Sequence, residues 1–70
     1  MRMSRVIQIE RARQARERRV EQVYRRIRRQ RIEELASFLR VSYDHARRAY
    51  GPQWDQEHGE QVRQLIRQSL

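Results

Sequence analysis

Residues 32–51 read IEELASFLRVSYDHARRAYG, and they decide how the rest of the chain must fold. Apolar Ile32, Leu35, Ala36 and Leu39 recur at helical spacing, and no glycine or proline interrupts the chain before Gly51. Ser42 then offers a hydroxyl to cap a new helix, and Asp44 places a carboxylate in its first turn, at the positive end of the helix dipole. The result expected is a helix, a corner near Arg40, and a second helix whose inner face is Ala46 and Ala49.

Upstream, Val6, Ile9, Val20, Val23, Tyr24, Ile27, Leu35 and Phe38 fall on one helical face at about 100° per residue. Arg13, Arg16 and Arg31 interrupt that face, so it does not form a long coiled-coil seam. Downstream, Gly51-Pro52 predicts a stop. After a short turn holding Trp54, Asp55 is placed to cap a last helix whose apolar positions are Val62, Leu65, Ile66 and Leu70. The expected fold is all-α, with helices near residues 5–39, 42–50 and 55–69. A break in the first helix near Gln30 stays open.

Charge divides the chain in two. Residues 1–31 hold twelve of the seventeen arginines against Glu10, Glu17 and Glu21, a net of +9. Residues 32–70 hold five arginines and six carboxylates, a net of −1, and the whole carries +8. The pattern suggests an arginine-rich helix or arm over residues 1–31, joined to a small helical module over residues 32–70. Codon usage in a GC-rich genome accounts for missing lysine as well as nucleic-acid contact does, but it does not account for the asymmetry. Guanidinium grips phosphate or a guanine edge with two parallel bonds, so nucleic acid is the partner this composition favours.

The segment 32–51 resembles the helix-turn-helix of phage- and plasmid-type DNA-binding regulators. The likeness lies in Ala36 at the small contact position, Leu35, Leu39 and Val41 around it, and Ser42 as the cap. Arg40 departs from it, because glycine usually occupies that turn position and Arg40 would have to take a left-handed or strained backbone. The resemblance implies a recognition helix from Ser42 to Tyr50 that presents Tyr43, Asp44, Arg47 and Arg48 to bases. Phosphate contacts are then expected from Arg11, Arg18, Arg19, Arg25, Arg26, Arg28, Arg29 and Ser42. A shorter likeness is RERRVEQ, residues 16–22, which resembles the arginine-rich RNA-binding helices of N-type antiterminators. The bland alternative for that segment is a solvated face neutralised by pairs such as Glu21 with Arg25.

A chain of 70 residues, 37% hydrophobic and without cysteine, builds a thin core. Val20, Val23, Tyr24 and Ile27 form an apolar patch on an otherwise arginine-covered helix, so a homodimer through that patch is expected. No apolar run approaches the roughly 18 residues of a membrane span, and MRMSRVIQIERAR has no signal-peptide core. A cytoplasmic protein without membrane contact is therefore the expectation. His45 and His58 lie in no metal-ligand spacing, and Asp55 with His58 makes only an isolated pair three residues apart. Neither catalytic residues nor a metal or other cofactor is expected. The functions that remain are a DNA-binding regulator, a helical protein-interaction module that inhibits or adapts a host factor with an acidic surface, and an RNA binder.

Overall fold

The computed structural model describes residues 3–70, with side chains from Gln8 onward; Val6, expected on the apolar face, lies outside the described side chains. It consists of two helices, α1 (Met3–Leu39) and α2 (Tyr43–Ser69). The all-α expectation is met. α1 runs unbroken through Gln30 and through residues 31 and 32, where the charge balance changes.

The turn follows from local chemistry. The Val41 amide donates to the Ala36 carbonyl at 3.0 Å, and the Arg40 amide donates to the Ser37 carbonyl at 3.3 Å. These bonds close a Schellman motif, in which the residue after the helix adopts a left-handed backbone. That residue is Arg40, at φ 58°. An L side chain costs about 1 kcal/mol there, and packing of Val41 against Ile32, Ala36 and Ala46 offsets it. Ser42 accepts from the His45 amide at 3.1 Å and caps α2 as expected.

The expected break at Gly51-Pro52 does not occur. α2 continues through both residues, and Asp55 sits in mid-helix instead of capping a third one. Pro52 is exposed, so the Arg48 carbonyl that loses its amide donor faces water. Gly51 and Gly59 are buried. They act as notches: a Cβ at Gly51 would collide with the Arg28 guanidinium, and one at Gly59 would stand 3.0 Å from the Tyr24 hydroxyl.

The helices run antiparallel. Glu17 meets Arg67, Glu21 meets Arg63, and Arg28 meets Asp55, so numbers fall along one helix as they rise along the other. A helix-turn-helix corner would instead cross at about 90–120°. The hairpin measures 58 × 20 × 17 Å. Val20, Tyr24 and Ile66 form one buried cluster, and Ile32, Ala36 and Ala46 form a second beside the turn. Ala49 faces solvent, contrary to its expected inner position.

Two members of the expected dimer patch are thus internal. Val20 is fully buried and Tyr24 is 3% exposed, both covered by α2 of the same chain. Val23 and Ile27 pack on that cluster but remain half-buried.

Candidate nucleic-acid interface

Between the helices lies a polar ladder. On α2 the residues Gly51, Asp55, Gly59, Arg63 and Arg67 recur every four positions and form one ridge. On α1 they meet Arg28, Tyr24, Glu21 and Glu17. Asp55 Oδ1 accepts from the Tyr24 hydroxyl at 2.5 Å and from Arg28 Nε at 2.8 Å. Arg63 Nε donates to Glu21 at 2.7 Å, and the Arg63 guanidinium lies 4.0 Å over the Tyr24 ring. Arg67 grips both carboxylate oxygens of Glu17 at 3.2 Å. Its carbonyl accepts from the Arg16 guanidinium at 2.9 Å.

Protonation states follow from this packing. Burial, then the bond to Asp55, pushes the Tyr24 phenol up to about 12. The hydrogen bond from Arg67 holds the Glu17 carboxyl below its ordinary range. Glu21 is therefore paired across the hairpin with Arg63, rather than along its own helix with Arg25.

The ladder turns both glutamates of RERRVEQ toward α2 and leaves the outer side of α1 without a negative charge between Ala12 and Glu33. Arg11, Arg13, Arg18, Arg19, Arg25, Arg26 and Arg40 have no hydrogen-bond or ion-pair partner among the described residues. At 100° per residue, Arg11, Arg18, Arg19, Arg25 and Arg26 span an arc of about 120° on the side of α1 opposite buried Val20 and Tyr24. All five are exposed. Arg29, also expected at phosphate, is exposed and bridges Glu33 at 3.0 Å.

Other expected contacts are placed differently. Arg28 is half-buried and holds Asp55, and the Ser42 hydroxyl is engaged as a cap. At the turn end, Tyr43 is half-buried beneath the Arg29 guanidinium, 5.8 Å from its ring centre. Asp44 lies 3.8 Å from Arg47, and its carbonyl accepts from Arg48 Nε at 3.3 Å. Three of the four residues expected to read bases, Asp44, Arg47 and Arg48, therefore engage one another, although all three remain exposed.

A second surface was missed by the sequence reading. Ile27, Leu35, Phe38, Trp54, Val62 and Leu65 line an open groove along one side of the hairpin. Phe38 is 83% exposed and Leu65 57%. His58 stands at its edge, 5.6 Å from Trp54 and 3.7 Å from Glu57. Asp55 faces α1 instead, so the two do not form a pair. Among the described residues no group of three or more His, Cys, Asp or Glu is placed to hold a metal. Neither helix is long and apolar enough to cross a membrane.

The chain matches no family model, no curated protein and no solved structure.

Proposed function

We propose that the chain is a small DNA-binding regulator that grips duplex phosphate with the outer arginine face of α1 and works as a homodimer. One observation carries the DNA reading: Arg63 and Arg67 neutralise Glu21 and Glu17 on the inner side. This leaves Arg11, Arg18, Arg19, Arg25 and Arg26 on the outer side with no carboxylate partner among the described residues. Like charges so close raise each other's energy, and a polyanion relieves that cost while its counterions are released. The first turns of α2 have weaker support as the base-reading element, because Asp44 already engages Arg47 and Arg48.

The apolar groove supports the second copy. Its charged rim is locally balanced, with Arg31 bridged to Glu34 at 3.4 Å, and the outer arginines lie on the other side of α1. Two chains of net charge +8 therefore meet there with little like-charge repulsion. The groove also favours a second reading, a protein-interaction module whose partner inserts apolar side chains beside Phe38.

The test is a gel-shift titration of duplex DNA and a hairpin RNA across salt concentration. If about six phosphates are neutralised, log affinity for duplex falls with log salt at a slope near −5. Submicromolar binding that ignores salt, or no binding at low salt, would overturn the reading; the latter would favour the protein partner. Tighter, more selective binding of the RNA would move the function to RNA.

A further inference from the structure

The two helices differ in length, 37 residues against 27. α2 ends beside residues 15–19 of α1, where Arg67 holds Glu17 and Ser69 and Leu70 flank Ala15 and Arg19. The part of α1 before Ala15 therefore projects as a single helix, about 18 Å long at 1.5 Å per residue. Its described side chains, from Gln8 onward, are all exposed.

Thickness separates this overhang from the rest. A single helix with side chains is about 10–12 Å across, and the major groove of B-DNA is about 12 Å wide. The paired body, in a molecule of 58 × 20 × 17 Å, is too broad to enter. Gln8, Arg11, Ala15 and Arg18 succeed one another at steps of three and four, so they form one stripe. Ala15 carries only a methyl group, which lets the helix axis approach the floor of a groove. Arg11 has no partner among the described residues. Its guanidinium matches guanine O6 and N7, and the Gln8 amide matches adenine N6 and N7. Arg18 and Arg19 follow where the two-helix body begins beside Ser69 and Leu70, and would meet the phosphates that border the groove.

We propose that the overhang of α1 lies in the DNA major groove, with Gln8 and Arg11 on base edges and Arg18 and Arg19 on the backbone. This rests on the DNA-binding reading above and relocates base recognition from the turn end of the hairpin to its opposite end.

The experiment selects a preferred duplex from a random pool with the full chain. It then measures guanine N7 methylation interference and the affinities of Arg11→Ala for selected and random DNA, with circular dichroism to confirm helicity. N7 lies in the major groove, so methylation within the selected site should weaken wild-type binding. Arg11→Ala should lower the preference for selected over random DNA by about tenfold or more. Failure of the pool to yield a preference, or methylation without effect, would overturn the insertion. So would equal weakening of both duplexes by Arg11→Ala, which would make Arg11 a backbone contact. In these three cases salt-sensitive duplex binding survives and the proposed function stands. Absence of duplex binding at any salt would defeat both.

Discussion

The two halves of the hairpin solve the same electrostatic problem in different ways. Near the turn, arginines pair within their own helix: Arg29 with Glu33, Arg31 with Glu34, Arg47 with Asp44. Each carboxylate there sits beside the cation it balances, and only Arg40 and Arg48 are left without a carboxylate partner among the described residues. Toward the open end, pairing runs between helices, and α2 supplies Arg63 and Arg67 to the glutamates of α1. The glutamates are drawn inward, and the arginines that share their helix are left outward and unbalanced. Ion pairs of similar geometry thus give a more nearly balanced end and a cationic flank, decided by whether the bridge is within or between helices.

The largest expected effect comes from breaking the interhelical half at its centre. Tyr24 fills the core beside Trp54, at 5.8 Å between ring centres, while its hydroxyl reaches Asp55. Tyr24→Ala should cost about 3–5 kcal/mol, the range for removing a large buried aromatic side chain. For a core this small that means loss of the folded hairpin by circular dichroism. A change below about 1 kcal/mol would show that the ladder and its aromatic centre do not hold the helices together.

Next in size is the groove. If a second copy covers it, Phe38→Asp places a charge in the interface and should dissociate the dimer at tens of micromolar in sedimentation. Because Phe38 is 83% exposed in the single chain, the variant monomer should keep its helicity. A wild-type chain that sediments as a folded 8.7 kDa monomer at that concentration would remove the dimer altogether.

Alkali titrates the ladder selectively. The folded Tyr24 phenol is pushed up to about 12 from an ordinary value of 10. The folded state therefore holds this proton more tightly than the unfolded chain, and the contribution is complete below pH 10 and lost as pH climbs through 12. Thermal stability should fall across that window in the wild type and fall less in Tyr24→Phe. Equal losses would place the alkaline sensitivity elsewhere.

The smallest effect belongs to the turn. Arg40→Gly relieves a left-handed backbone at φ 58° and should stabilise the hairpin by up to about 1 kcal/mol in a denaturant melt, with no change in the arrangement of the helices. Destabilisation would mean that the Arg40 side chain contributes more than its backbone costs.

These positions also explain what could be read from residues alone. The Ser42 cap, the small contact at Ala36 and Ala46 and the unusual turn at Arg40 are local, and local chemistry is written in neighbouring residues; the continuity of α1 through Gln30, left open by the residues, is settled by the fold. Gly51 and Pro52 misled because breakers are judged by their own propensity. Tertiary packing reversed that reading: Gly51 gives room to Arg28, and Pro52 lies on the solvent side where an undonated carbonyl is hydrated. Asp55 looked like a cap for the same reason. Val20 and Tyr24 looked like a dimer patch because their cover, Ile66 and Trp54, lies more than 29 residues away in sequence. The arginine concentration was plain, whereas its free flank required knowing which helix takes the glutamates. One signal was available: Gly51, Asp55, Gly59, Arg63 and Arg67 share a four-residue period, and a row of small and charged residues marks a packed polar seam.

The comparison between the two halves is tested most directly by their arginines in one set of salt titrations on duplex DNA. Arg18→Ala with Arg19→Ala removes unbalanced charge from the interhelical half, and Arg47→Ala with Arg48→Ala removes two arginines that engage the Asp44 carboxylate and carbonyl at the turn end. The first pair should weaken binding to every duplex and reduce the magnitude of the salt slope by about one for each lost contact. The second should leave the slope close to that of the wild type. Equal slopes for wild type and the first pair, or a larger reduction from the second, would contradict the account.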